Sequence, residues 1–176
     1  ASAFGRASQA TNTWASAFGN LSCATGACSS ASGYKVCATG GYSSAFGTTL
    51  WATGGESTAM GVYSCATGAD SSAVGRSSCA IGTGSIAVGL AARAKGDKDV
   101  AIGYTAVTCP FTSVSGKVAE GNVAIGWNVL ACNGFTCNTT IFYQAIAMGV
   151  KACATACNSL AVGTSVTASA YSAAVG

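Results

Sequence analysis

The sequence contains no histidine, a single proline among its 176 residues, and few charged side chains, which make up 7% of the chain. A typical domain carries about 25% charged residues. Without histidine the commonest general base is absent, and the only carboxylates close in sequence are Asp97 and Asp99, on either side of Lys98. The lack of histidine and of any CxxC pair also removes the usual zinc ligands. We therefore expect no catalytic site, no cofactor and no metal site.

The net charge is small, and the charged residues are few. Eight basic and five acidic groups give +3, and no basic patch is present of the kind that nucleic-acid binding requires. The one charged cluster, residues 93–99, mixes both signs, and we expect it to be a solvent-exposed bend. No apolar run is long enough for a transmembrane helix. These features argue against a nucleic-acid partner and against membrane insertion by this segment.

The sequence is instead rich in glycine, with 24 residues, and in alanine and serine. These small residues cannot build a conventional core of large side chains, so order has to come from repetition. The tripeptide Ala-x-Gly recurs with a step of seven residues, and its glycines are Gly19, Gly26, Gly33, Gly40, Gly47, Gly54, Gly61, Gly68, Gly75, Gly82, Gly89, Gly96 and Gly103. Its middle residue alternates between mostly apolar and mostly polar. The true period is therefore fourteen residues, made of an apolar A half-repeat and a polar B half-repeat.

The array continues to the end of the chain. After Gly103 the A glycines are Gly126, Gly149, Gly163 and Gly176, and two of these steps are nine residues longer than fourteen. Each long step predicts an inserted loop, one near residues 110–118 and one near 133–141. We expect one domain over residues 1–176, with regular coils at 1–109 and 142–176.

These repeats predict an all-β parallel β-solenoid of about twelve coils. Regular glycines disfavour a helix, and their spacing excludes collagen. Half-repeats of seven residues fit a short strand and a tight turn, and two of them complete one coil. Side chains alternate along a strand, so the alanine faces a narrow interior and the middle residue faces outward. The glycine should close the turn, where a Cβ would clash or φ is positive.

The outward residues of the A half-repeats form an apolar column that a monomer could not leave exposed. We expect three chains to pack through this column as a homotrimer. The predicted interface residues are Phe4, Phe18, Phe46, Met60, Val74, Val88, Ile102, Ile125, Met148 and Val162.

Three stretches of the repeat carry a resemblance to a known family. Ser72-Ala73-Val74-Gly75, Ser85-Ile86-Ala87-Val88-Gly89 and Asp99-Val100-Ala101-Ile102-Gly103 resemble the head repeat of trimeric autotransporter adhesins. The resemblance is clearest over residues 70–126. It implies a left-handed parallel β-roll, a homotrimer and a role in surface attachment.

Ten cysteines are typical of an oxidising compartment, so we expect an extracellular location on a cell or virion surface. Neighbouring strands bring stacked residues within disulfide range. We predict bridges between Cys23 and Cys37, between Cys65 and Cys79, and between Cys109 and Cys132. Cys28, Cys137, Cys153 and Cys157 have no assigned partner.

Two further surfaces are candidates for recognition. Flat threonine arrays on solenoids bind ice in insect antifreeze proteins, and Thr11, Thr25, Thr39, Thr53 and Thr67 form such a ladder. The second insertion is the candidate contact loop, with Phe135, Cys137, Asn138, Phe142 and Tyr143. The function expected from the sequence is a structural or adhesive segment of an extracellular fibre. Such a segment would bind a host-surface or matrix ligand or polymerise end to end as a filament shaft, and ice binding is the alternative.

Overall fold

The computed structural model describes residues 1–109, 120–132, 144–156, 158–169 and 171–176. Over these ranges the chain is an all-β parallel β-solenoid of about 11 turns with coils of about 14 residues, and it contains no helix. The fold class expected from the sequence is confirmed. The coil count is slightly below the expected twelve because the last A strand has no B strand after it in the chain. Within the described ranges, no helix has the length and apolar run needed to cross a membrane.

The strands are short and follow the half-repeats in order. In the first half of the chain they are β1 Ser2–Phe4, β2 Gln9–Ala10, β3 Ser16–Asn20, β4 Cys23–Ala24, β5 Ser30–Ala38, β6 Ser44–Ala52, β7 Thr58–Val62, β8 Cys65–Ala66, β9 Ser72–Arg76 and β10 Cys79–Ala80. In the second half they are β11 Ile86–Val88, β12 Arg93–Ala94, β13 Val100–Ile102, β14 Val107–Cys109, β15 Val123–Trp127, β16 Leu130–Cys132, β17 Ala145–Val150, β18 Cys153–Ala154, β19 Ser159–Thr164, β20 Thr167–Ala168 and β21 Ala173–Val175. Strands β5 and β6 run through a corner and supply both an A and a B strand.

Each strand pairs in parallel with the equivalent strand of the next coil, in the register of the fourteen-residue repeat. Ala17 pairs with Ala31 in the A strands, and Cys23 pairs with Cys37 in the B strands. The register also holds across the two long steps, where Ala101 pairs with Ala124 and Cys109 with Cys132. The two predicted inserted loops, near residues 110–118 and 133–141, lie outside the described residues.

Small residues fill the interior of every coil. The alanine of each Ala-x-Gly faces inward, as the alternation of a strand predicts, and it is fully buried except at the two ends of the array, where Ala3 is exposed and Ala174 is half-buried. A second inward position, three residues after the glycine, lines the interior too and is most often serine, as at Ser22, Ser29, Ser43, Ser57, Ser64, Ser71, Ser78 and Ser85. Six of these hydroxyls donate to backbone carbonyls, as when Ser29 Oγ donates to Gly26 O at 2.7 Å and Ser64 Oγ to Gly75 O of the next coil at 2.7 Å. Those of Ser78 and Ser85 are buried without a hydrogen-bond partner among the described residues. This polar lining explains how so thin an interior avoids orphaned carbonyls.

The glycines are required by close contact between coils. A Cβ built on Gly54 would land on the carbonyl oxygen of Gly68, and one built on Gly47 would land on that of Gly61. The A glycines also have positive φ, whereas Gly54 and the other B glycines do not. The expectation of a turn-closing glycine is therefore correct about the clash, and it is correct about positive φ only in the A half-repeats.

The left-handed corner of each half-repeat falls two residues after the glycine, usually on a residue with a full side chain. Trp14, Tyr42, Glu56 and Lys98 all have φ between 52° and 58°. Each corner is held by the coil before it, as when Tyr42 N–H donates to Ala27 O at 2.7 Å. A left-handed non-glycine residue costs about 1–2 kcal/mol, so these inter-coil hydrogen bonds offset a recurrent local strain.

The charged cluster at residues 93–99 is only partly solvent-exposed, which corrects the expectation for it. Asp99 occupies a serine position of the lining and is fully buried. Its carboxylate accepts the backbone N–H of Gly96 at 2.8 Å and of Asn122 at 2.7 Å. Asn122 lies in the same column one coil on and accepts Ala145 N–H at 2.9 Å. The two polar side chains thus link three successive coils at the point where the long steps begin.

Candidate functional site

The outward side of the A strands, which we call the A face, carries a column of apolar residues along the rod, interrupted at Ser32. Its first column contains the residues predicted as the trimer interface, and they stack in register as expected from the repeat. Phe4 and Phe18 stack with ring centroids 5.4 Å apart and planes 5° apart. In the single chain Phe18 is 46% exposed and Met60 43%. None of these side chains enters the alanine-lined interior, so the column is available to a partner surface.

A second column on the A face was missed in the sequence analysis. It lies two residues before the first column, and it changes character along the rod. It is polar in the first coils, with Ser16, Ser30, Ser44, Thr58 and Ser72. It then becomes apolar, with Ile86, Val100, Val123, Ile146 and Leu160. The signal was present in the sequence as the residue before each alanine, and it makes the A face wholly apolar over the second half of the rod.

The outward side of the B strands, the B face, carries the threonine ladder. Its members stack regularly, because Thr25 N–H donates to Ala38 O and Thr39 N–H donates to Ala52 O, both at 2.9 Å. Thr39, Thr53 and Thr67 are exposed. The neighbouring column on the same face is Gln9, Cys23, Cys37, Trp51 and Cys65. Trp51 is exposed and breaks the flatness of this face.

The B face also carries the three predicted cysteine pairs, of which only one is joined by a disulfide. Cys109 and Cys132 form a disulfide with their Cα atoms 4.6 Å apart. Cys23 and Cys37 are direct neighbours on adjacent strands, as are Cys65 and Cys79, but all four are free thiols. The expected bridges 23–37 and 65–79 are therefore not formed in this structure, and their oxidation stays a prediction. Cys28 and Cys153 are also free, and Cys137 and Cys157 lie outside the described residues.

The two free pairs sit in different electrostatic surroundings. Burial raises the pKa of Cys37, and the neighbouring Cys23 raises it further. In the other pair, a hydrogen bond from Cys65 and the positive charges of Arg93 and Lys95 outweigh burial and lower the pKa of Cys79 to about 7. The same thiol contact and burial raise the pKa of Cys65. Cys79 is therefore the thiol of the second pair that ionises first as the pH rises, and Cys65 keeps its proton to higher pH.

An aromatic edge at the corner that follows the A strands offers a further contact surface. Tyr104 and Trp127 occupy equivalent positions in adjacent coils, with ring centroids 6.5 Å apart. Lys151 Nζ lies 5.8 Å from the Trp127 ring centroid, within range of a cation–π interaction. Both rings are exposed. The predicted contact loop, with Phe135, Cys137, Asn138, Phe142 and Tyr143, lies outside the described residues.

The comparison with protein families agrees with this architecture. Residues 52–78, 80–106 and 143–165 match the YadA head domain repeat. These three stretches, which together make up less than half of the chain, are similar to that repeat. No curated protein matches the chain. The YadA head is an adhesin family and not an enzyme family, and the resemblance noted from the sequence motifs is thereby confirmed.

The matched stretches include coils with a ladder threonine on the B face and coils with isoleucine or valine in the second column of the A face. The first two matched stretches contain Met60, Val74, Val88 and Ile102 of the A face, and the third contains Met148 and Val162. The apolar A face is therefore part of the YadA-like repeat and continues beyond it into the phenylalanine-bearing coils at the start of the chain.

Proposed function

We propose that this chain is a surface-attachment segment of a homotrimeric extracellular fibre, in which three copies pack their A faces together. The observation that supports the proposal is the apolar column of the A face, interrupted only at Ser32 among the described residues, which lies outside an interior already filled mainly by alanine and serine. Full burial of a Val, Ile, Phe or Met side chain stabilises by about 1.5–3 kcal/mol. Three copies of this face give the thin coil the large-residue core that it does not have on its own.

The trimer interface is tested by placing one charge on each face of the rod. Ile102 on the A face and Ile81 on the B face are both exposed isoleucines in the single chain. Ile102→Glu would place a carboxylate between apolar columns, where an unpaired charge is strongly unfavourable. We expect this variant to sediment as a monomer, while Ile81→Glu keeps the mass of the unmodified protein. Equal behaviour of the two variants would argue against packing through the A face.

Attachment itself requires a side chain that remains accessible in the trimer. We propose the aromatic edge of Tyr104, Trp127 and Lys151 for this role, together with the predicted contact loop, because exposed aromatic and cationic side chains are typical of recognition sites. Trp51 on the B face is a matched control, since it is the same residue type and is also exposed.

The experiment measures adhesion of beads coated with the protein to surfaces coated with extracellular-matrix proteins and to cultured cells. We expect Trp127→Ala to reduce bead retention at least about threefold, a change of the size seen for truncating one interface residue. Trp51→Ala should keep the retention of the parent protein. Absence of any retention above uncoated beads would overturn the attachment role and favour a filament shaft, which end-to-end polymerisation in electron micrographs would show.

Ice binding is the second candidate, and the straight Thr ladder of the B face supports it. The companion column argues against it, because ice-binding faces need two flat rows and Trp51 projects from the second one. Inhibition of ice recrystallisation by micromolar protein, lost in Thr39→Tyr but kept in Ile81→Tyr, would establish this activity. Recrystallisation at the rate of buffer alone would exclude it.

A further inference from the structure

We propose that the Cys65–Cys79 pair is a thiol–disulfide exchange site for anionic disulfides, with Cys79 as the attacking thiol and Cys65 as the resolving thiol. The site lies on the B face, away from the apolar A face. It therefore stays accessible in the proposed trimer and does not depend on the attachment role.

The site is a groove of about 270 Å³ on the B face. It is lined by both thiols of the pair together with Tyr63, Ile81, Arg93 and Lys95, among others. Cys79 pairs with Cys65 on one neighbouring strand and with Arg93 on the other. The column thus reads thiol, thiol, guanidinium along three adjacent strands. Both cysteines are partly exposed, as a reactive cysteine has to be.

The positive charges of Arg93 and Lys95 have two roles, one toward the Cys79 thiolate and one toward the substrate. The charges of Arg93 and Lys95 favour the Cys79 thiolate, and a thiol whose pKa is near the ambient pH is the best attacking group. The same two side chains can bind carboxylates that flank an incoming disulfide. A disulfide carrying acidic groups is therefore the substrate class that fits the groove.

The exchange is balanced within the pair. The Cys79 thiolate attacks one sulfur of R–S–S–R, which forms a Cys79–S–S–R bond and releases R–S⁻. Cys65 then loses its proton to the released thiolate and attacks Cys79 Sγ, which closes a Cys65–Cys79 bond and releases the second R–S⁻. The dithiol is oxidised and the substrate disulfide is reduced to two thiols.

Closure of the second bond is compatible with the fold. Cys109 and Cys132 stand in the same relation on adjacent B strands, and they are joined with Cα atoms 4.6 Å apart. A pair of B-strand neighbours can thus form a disulfide without a change of register. The unjoined pair Cys23 and Cys37 provides the control, since its column neighbours are Gln9 and Trp51 instead of a cation.

The experiment reacts the phosphine-reduced protein, freed of reductant, with limiting oxidised glutathione, and quantifies labelling of each cysteine by peptide mass spectrometry after acid quench. We expect Cys79 to be modified at least about fivefold faster than Cys23 or Cys37, after allowing for the lower nucleophilicity of a less basic thiolate. In Cys65→Ser the mixed disulfide at Cys79 should accumulate, because the resolving thiol is missing. Cystamine, a cationic disulfide, should react more slowly than oxidised glutathione, and Arg93→Gln/Lys95→Gln should remove that preference.

The comparison between cysteines is made within one molecule, so it does not depend on any variant folding. Equal labelling of all B-face thiols, or labelling of Cys65 before Cys79, would overturn the assignment. So would a Cys65–Cys79 disulfide that resists millimolar dithiothreitol, because that bridge would be purely structural.

Discussion

At the scale of the residue, the fold depends on positions where one coil touches the next through backbone alone. The Ala-x-Gly pattern predicts those positions correctly, because a residue that recurs without a side chain indicates close approach. It does not predict where the chain turns with positive φ. Those corners fall on Trp14, Tyr42, Glu56 and Lys98, which share no side-chain property. Their conformation is set by the hydrogen bond to the preceding coil, a contact that no local sequence signal records.

The adjacent Gly54 and Gly55 distinguish a glycine that is needed for close contact between coils from one that is not. A Cβ on Gly54 would meet the Gly68 carbonyl oxygen, whereas the atom nearest to a Cβ on Gly55 would be Gly41 O at 3.9 Å. We expect Gly54→Ala to lower the free energy of unfolding by about 3 kcal/mol or more, and Gly55→Ala to change it by less than about 1 kcal/mol. Thermal unfolding followed by far-ultraviolet circular dichroism at equal protein concentration measures both. Similar losses in the two variants would contradict the proposed contact.

The buried carboxyl group of Asp99 predicts that the stability of the folded protein depends on pH. Burial raises the pKa of Asp99 above 3.8 by more than its hydrogen bonds lower it. The folded protein therefore holds this proton more tightly than the unfolded chain. The stabilisation from Asp99 is complete below pH 3.8 and is lost as the pH rises through the raised folded pKa.

The variant Asp99→Ser restores the serine found elsewhere in the lining and removes that titration. We expect the melting temperature of the parent protein, relative to Asp99→Ser, to fall as the pH increases from 4 to 7. Asp70→Ser, at an exposed corner, controls for the change in net charge. A difference that increases with pH would mean that the hydrogen bonds to Gly96 and Asn122 outweigh the cost of burial.

At the scale of the element, the alternation of a strand decides which residues fill the coil. The sequence analysis identified the alanine column, because alanine recurs there in every described strand except β14, which has Thr108. It missed the serine column, although a small residue three positions after each glycine is visible in the sequence. Val36 and Leu50 are large residues at this otherwise small position. They lie side by side on β5 and β6, and they are the two largest fully buried side chains of the described residues.

Leu50 tests this local core. It is fully buried, whereas Leu21 at a corner is 43% exposed. Leu50→Ala should lower the free energy of unfolding by about 2–5 kcal/mol through lost burial and the cavity left behind. Leu21→Ala should change it by about 0.5 kcal/mol or less. Denaturant unfolding of both variants at one protein concentration gives the comparison, and a small effect at Leu50 would mean that the coil closes around the missing side chain.

At the scale of the whole molecule, the repeat predicts a rod. The composition predicts that one chain has no interior core of large apolar side chains and that its outward apolar columns need a partner. About eleven coils at roughly 4.8 Å each give a length of roughly 50 Å. The interior holds small residues, and the large apolar ones stand outside in columns. Periodicity was enough to derive this division, because the same alternation assigns every coil. The different surroundings of the two cysteine pairs were missed, although the fourteen-residue step places Arg93 beside Cys79 and Gln9 beside Cys23.

The central claim is that the A faces of three chains form one core. Sedimentation equilibrium from micromolar concentration upward, with and without dithiothreitol, tests it most directly. The account predicts a single species of three times 17.0 kDa under both conditions, because the A face packs without covalent links. A 17.0 kDa species that persists across the concentration range would contradict it.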